Sequence, residues 1–142
     1  MAVIAHSAFL SLLLAAVAFG ANTPRQQVSH VASALTAREP ADAMTPFDKS
    51  FADYDKLRGY FGGLTAAFDV TNQLEVTEEQ DATDEATLTV EWTLTLVNAQ
   101  NGYSQNRNAS VHIRLVRKKS TWKIVEFSPV DLFNPQGYIK SY

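Results

Sequence analysis

The apolar positions of this chain follow two periods in succession. Between Arg25 and Phe68 they recur at helical spacing. Val28, Val31, Ala32 and Leu35 make a first stripe, and Glu39-Pro40 ends it, because proline cannot continue a helix. Met44, Phe47 and Phe51 lie in a proline-interrupted stretch that predicts a second short helix or a turn. Tyr54, Leu57, Phe61, Leu64 and Phe68 then step by three and four residues, one face of a helix, with Asp53 placed to cap its N-terminus. Gly59, Gly62 and Gly63 fall inside this helix, where each costs about 1 kcal/mol relative to alanine. Such a cluster implies that something packs closely against the back of the helix, or that the helix breaks at Gly62-Gly63.

From Asp69 onward the period is two. Strands are expected over residues 70–78, 86–97, 103–118 and 121–130. They are separated by the acidic turn EEQDATDE, an Asn101-Gly102 turn and Lys118-Lys119-Ser120. In TLTVEWTLTLV, Leu88, Val90, Trp92, Leu94 and Leu96 point one way, while threonines and Glu91 point the other. A hairpin centred on Asn101-Gly102 sets Val90 opposite Ile113, Leu88 opposite Leu115 and Trp92 opposite Val111. On the polar side it sets Glu91 beside His112 and Thr89 beside Arg114. A one-residue slip would put Leu and Val against His and Arg, so parity is strongly specified. The apolar side is therefore a continuous sheet face, which the stripes of Val28–Leu35 and Tyr54–Phe68 must cover. The expected fold class is α+β: N-terminal helices packed on a strongly curved, cone-shaped antiparallel sheet.

The last hairpin has two parities. In one, Ile124 meets Leu115 and Glu126 meets Ile113 inside the sheet. In the other, Glu126 joins Glu91, His112 and Arg114 outside, and Val125 and Phe127 turn inward. The cost of burying an unpaired carboxylate favours the second. The acidic turn (Glu78, Glu79, Asp81, Asp84, Glu85) falls at the sheet end that holds Arg117, Lys118 and Lys119. Balanced surface charges, each pair contributing about 0–1 kcal/mol, account for it.

Composition narrows the classes. With 142 residues, 46% hydrophobic and 19% charged, the chain suits one globular domain. The absence of cysteine removes disulfides, thiol nucleophiles and cysteine-ligated metals. A net charge of −3 gives no reason to expect nucleic acid. The uncharged run Ala8 to Phe19, followed by Ala18-Phe19-Gly20, reads as a signal peptide over residues 1–20. It is short of the roughly 20 apolar residues of a membrane span. The mature domain, 21–142, is then secreted or periplasmic, with no membrane partner after cleavage.

The pieces YDKLRGYFGGLTAAF (Tyr54 to Phe68) and the closing WKIVEFSP resemble the nuclear transport factor 2-like superfamily. This is the cone-shaped fold shared by ketosteroid isomerase, scytalone dehydratase and polyketide cyclases, and many of its exported bacterial members have no assigned function. The resemblance implies a hydrophobic pocket at the open end of the cone and a convex face used for homodimerisation. The expected pocket lining is Tyr54, Leu57, Phe61, Trp92 and Ile113, for a small apolar ligand.

A catalytic set is harder to find. Ketosteroid isomerase-type chemistry needs a carboxylate base with a tyrosine and a protonated aspartate in apolar walls. This chain offers Tyr54, Tyr60 and Glu126 without that spacing, and the mature domain has only His30 and His112. Glu126 and the Glu91–His112 pair are the acid–base candidates, since a carboxylate opposite an imidazole orients it as a general base requires. A cross-strand polar pair explains Glu91 and His112 equally. No nucleotide-binding or serine-hydrolase motif occurs, no metal-ligand spacing is seen, and no cofactor is expected. The sequence thus suggests an exported small-molecule-binding or dimeric assembly domain. The alternative is an isomerase, dehydratase or cyclase working by general acid–base catalysis. A partner protein that is contacted through the acidic turn is a third option.

Overall fold

A computed structural model describes residues 22–139. The signal-peptide reading falls on residues outside this range. Helix α1 spans Pro24–Thr36, the short α2 Pro40–Ala43 and α3 Tyr54–Ala67. Strands β1 (Phe68–Asp81), β2 (Glu85–Asn98), β3 (Ser104–Lys118) and β4 (Thr121–Ser128) follow, and then a 3-10 turn over Val130–Phe133. The sheet is antiparallel in the order β1-β2-β3-β4. The helices lie on one face, so the architecture is the expected α+β one.

Local chemistry explains the helix ends. Thr23 and Gln26 form a reciprocal capping box ahead of Pro24, which satisfies two of the free amides of the first turn. Helix α1 ends before Glu39-Pro40: the amides of Arg38 and Glu39 close back onto the carbonyls of Leu35 and Ala34. Arg38 takes the left-handed position, φ +63°, usually left to glycine. Its guanidinium is held there by Asp69 at 2.8 Å and the Thr65 carbonyl at 3.0 Å. Asp53 occupies the N-cap of α3, but its side chain makes no capping bond, contrary to expectation. Of the glycines in α3, only Gly63 is approached closely. A Cβ there would lie 2.5 Å from Cγ of Pro135, so the C-terminal segment is what packs on the helix back. The helix does not break.

The β2–β3 hairpin differs from the sequence reading by two residues. Leu88 pairs with Ile113, Val90 with Val111, Trp92 with Ala109, Glu91 with Ser110 and Thr89 with His112. The loop is longer than a two-residue turn because Asn98 accepts from the amides of Gln100 and Asn101, and Gly102 takes φ +76°. A slip of two leaves every side chain on its predicted face. The apolar face is buried: Leu88, Val90, Trp92, Leu94, Leu96, Val111, Ile113 and Leu115 join Val31, Leu35, Leu57, Phe61 and Leu64 in one core.

The last hairpin combines both parities. Near its turn Leu115 pairs with Ile124, and beyond a bulge Arg114 pairs with Glu126 and Ile113 with Phe127. Val125 is the extra residue. One bulge therefore lets Trp122, Ile124 and Phe127 all face inward while Glu126 stays outside. A second bulge, at Thr77 in β1, turns Glu79 towards Arg25. The free edge of β4 is covered by residues 46–48, whose backbone bonds Ile124 on both its amide and its carbonyl.

Candidate functional site

Four of the five expected lining residues lie at the centre of the core. Leu57, Phe61 and Trp92 are 0% exposed and Ile113 2%. The cone interior around them is filled by aromatic rings. Phe133 stands 5.3 Å from Phe61 and 5.4 Å from Trp92, ring centre to ring centre. Phe127 stands 5.8 Å from Trp92 and 5.3 Å from Phe47. The edge-to-face angles between most of these rings are the favourable arrangement of their quadrupoles. Trp92 also donates its indole N–H to Asn72 at 2.8 Å, and Asn72 in turn donates to the Ala32 carbonyl at 3.1 Å. That chain fixes the indole and ties β1 and β2 to α1.

Phe133 is the ring that closes the interior, and the sequence reading did not place it there. Val130, Leu132 and Phe133 are all buried. The signal that could have shown it is the apolar triplet in VDLF, whose spacing suits one side of a tight turn. Tyr54 is different: it is half-buried and lines an open groove of ≈ 460 Å³ with Met44, Phe47, Asp48 and Lys123. Asp48 beside this groove accepts from Lys118 at 2.6 Å and from the Ser50 amide at 2.9 Å. The Lys118 ammonium, aided by Ser50, holds the Asp48 carboxyl far below the usual range.

Glu91, His112 and Glu126 all lie on the outer face of the sheet. Glu91 accepts from Ser110 across the strands, and His112 meets Thr89 through Nδ1 at 3.4 Å. Glu91 and His112 are thus not a cross-strand pair, because of the two-residue register difference. Glu126, with a side chain 63% exposed, accepts from Arg114 at 3.0 Å, and Glu85 binds the same guanidinium at 2.8 Å. The two carboxylates raise the Arg114 pKa above its ordinary value. The outer face also carries Thr95 bonded to Asn106 at 2.7 Å and Asn108 to Thr93 at 2.9 Å, so polar bridges between β2 and β3 run along it. Glu75 sits directly opposite Glu91. The expected ion pairs between the acidic turn and Arg117, Lys118 or Lys119 do not form among the described residues: Glu85 pairs with Arg114 and Glu79 with Arg25, while Lys118 takes Asp48. Hydrogen bonding to Arg25 lowers the Glu79 pKa, while burial and the neighbouring Glu79 raise that of Asp81.

One buried cation escaped the sequence reading. Arg107 is 5% exposed on the inner face of β3, opposite Leu94. Its Nη1 donates to the carbonyls of Leu132 and Asn134, each at 2.8 Å, and its Nε to Gln105 at 3.1 Å. Its Nη2 is buried with no acceptor among the described residues. Strand alternation back from Val111 and Ala109 places position 107 inward, a signal that was available. Among the described residues no cluster of three or more His, Asp or Glu could hold a metal, and no helix is long and apolar enough to cross a membrane.

No family model and no curated protein matches this sequence. Solved structures do match in fold. A conserved protein from Planctomyces limnophilus superposes with TM-score 0.68 at 6% identity, covering 72% of this chain and 88% of its own. A ketosteroid isomerase-like protein from Erwinia carotovora atroseptica gives TM-score 0.61 at 11% identity, over 72% and 88% of the two chains. A nuclear transport factor 2-like superfamily protein from Salmonella enterica gives 0.57 at 12% identity, over 72% and 83%. The chain has the nuclear transport factor 2-like fold. Fold likeness at such identities carries no function with it.

Proposed function

We propose, with the nuclear transport factor 2-like fold as premise, that this is an exported, non-catalytic assembly domain that pairs with a second copy of itself through the outer sheet face. The observation that carries this reading is the direct opposition of Glu75 and Glu91 on a face that no element of the described chain covers. Like charges directly opposite in a sheet are destabilising, and neither carboxylate has an ion-pair partner among the described residues. An isologous twofold pairing sets each patch against its own copy in reverse. The β1–β2 side, with Glu75 and Glu91, would then meet the β3 side with His112 and Arg114. The bridged threonine and asparagine side chains are already held in place, so pairing orders few of them anew. Acid–base catalysis finds less support, because Glu91, His112 and Glu126 share this outer face and the interior is occupied by aromatic rings. The export part rests on the uncharged run from Ala8 to Phe19 and the small residues that follow it.

Light scattering on the purified mature protein tests the pairing. The expected result is a dimer that Thr93→Arg converts to a monomer without loss of helix or strand signal. A wild type that stays monomeric at high concentration overturns it. N-terminal sequencing of exported protein should begin at Ala21, and recovery of residues 1–20 on it would remove the export part.

A further inference from the structure

The two edges of the sheet are finished differently. Residues 46–48 bond Ile124 and cap β4. At the other edge stands β1, which pairs only with β2. Among the described residues no helix or loop backbone bonds residues 69–81 on the side away from β2. Helix α1 does not fill that side. It meets β1 through Asn72 and Glu79, whose strand partners Leu94 and Leu88 lie on the inner face. The inner face itself is open towards the edge: Leu74 and Val76 are only half-buried, although their partners Trp92 and Val90 are 0% exposed. A long unpaired edge invites another strand, and proteins commonly blunt it with proline, lysine or a covering segment. Strand β1 has no proline, lysine or arginine, and it carries Asp69, Glu75, Glu78, Glu79 and Asp81. Its bulge at Thr77 lies beyond the regular run from Asp69 to Val76.

Those acids decide what can add. A second copy paired edge to edge and centred on Glu75 would set Glu75 against its own copy and Asp69 towards Asp81, and like charges in opposition are destabilising. Asp69 and Glu79 are taken by Arg38 and Arg25, whereas Glu78 and Asp81 join no ion pair among the described residues. Glu78 accepts from the Thr89 hydroxyl at 3.2 Å. With Glu79, Gln80, Thr87 and Thr89 it lines an open hollow of ≈ 400 Å³ beside the strand. Burial and the neighbouring Glu79 raise the Asp81 pKa, an effect that a cation at this end would oppose.

We infer that the free edge of β1 docks an extended, basic segment of a partner protein as a fifth strand of the sheet. The segment's backbone bonds the amides and carbonyls that β1 turns away from β2 between Asp69 and Val76. Its side chains alternate between the two faces. Apolar ones cover Leu74 and Val76 on the inner side, and on the outer side a lysine or arginine enters the hollow at Glu78. The proposal goes beyond the assembly reading and does not rest on it, because it uses the edge of the sheet rather than its outer face.

The test titrates the purified protein with the capped peptides KVKVKVK and EVEVEVE. A third peptide, KVKVKVK N-methylated throughout, keeps the charge and removes the backbone donors. Calorimetry gives the affinities, and amide exchange followed by NMR locates the contact. KVKVKVK is expected to bind about tenfold or more tightly than either control, as the loss of several backbone hydrogen bonds or a reversal of charge requires. It should also slow the exchange of β1 amides between Asp69 and Val76. A variant carrying Glu78→Gln and Asp81→Asn should bind KVKVKVK about threefold to tenfold more weakly, since two exposed ion pairs are lost. Equal binding of the methylated peptide overturns the proposal, because an acidic surface alone would then explain the affinity. So does equal binding of EVEVEVE, an unchanged affinity in the double variant, no binding at all, or protection that falls on another strand. Edge amides already slow to exchange before any peptide is added would show that this chain or its copy takes the edge, and would overturn it too. Light scattering of the same samples reports separately on the dimer.

Discussion

Deleting Val125 tests the feature that decides which residues the last strand buries. The bulge lets Ile124 and Phe127, three apart in sequence, share the inner face. Because Val125 is the residue left without a partner, removing it joins the Leu115–Ile124 pair directly to Arg114–Glu126 and Ile113–Phe127. β4 then becomes a regular strand that keeps Ile124 and Phe127 inward and Glu126 outward. The loss is the packing of one half-buried valine, about 1 kcal/mol by transfer, together with the local bend the bulge supplies. Deleting Val125 and Glu126 together removes two positions and reverses the parity of the second half, so Phe127, now 2% exposed, turns outward if the first half holds register. Exposing a phenylalanine costs about 1.5–3 kcal/mol by transfer. The lost Arg114–Glu126 pair adds less than about 1 kcal/mol, since Glu126 is 63% exposed. The double deletion should therefore cost about 3–5 kcal/mol, a large part of the roughly 5–15 kcal/mol that holds a domain together. Urea denaturation followed by tryptophan fluorescence measures both. A single deletion as costly as the double one would refute the reasoning.

Two further substitutions probe the packing and the charges. Gly59→Ala, with nothing within 4 Å of the new Cβ, should stabilise α3 by about 0.5–1 kcal/mol in urea denaturation; Gly63→Ala, whose Cβ would meet Pro135 at 2.5 Å, should lose that gain, and equal gains would show that Pro135 is not seated. Asp48→Asn should cost about 1–3 kcal/mol at pH 7 by weakening the bonds to Lys118 and Ser50. Because the folded-state Asp48 pKa is depressed, its contribution is fully present above the unfolded carboxylate value, about pH 4. The gap between variant and wild type should therefore narrow as pH falls below that, and a gap constant down to acid pH would contradict the pairing.

Much of the site's layout was legible where short-range pattern and physics coincide. Alternation in β2 and β3 assigned Leu88, Val90, Trp92, Val111 and Ile113 inward and Glu91 and His112 outward, and the structure keeps those faces. The pairing itself slipped by two because loop length depends on how the Asn98 side chain folds back on the amides of Gln100 and Asn101, which strand alternation does not register. The Val125 bulge had a sequence trace in the three-residue step from Ile124 to Phe127, but a uniform parity hides it. Phe133 and Arg107 were missed for a related reason. Each is judged by what surrounds it in space, and those neighbours come from α3, β2 and the C-terminal turn.

By itself the sequence determined the order of helices and strands, the inner and outer faces of the central strands, and the need for helices to cover one of them. These follow from periods of 3.6 and 2 and from the cost of leaving apolar surface in water. Only the tertiary structure decided that the cone is filled, that Phe133 fills it, and that the buried Arg107 guanidinium binds the carbonyls of Leu132 and Asn134 on either side of that residue. Such outcomes depend on which distant side chains reach the same volume, and close packing is settled by shape in three dimensions rather than by pattern along a chain.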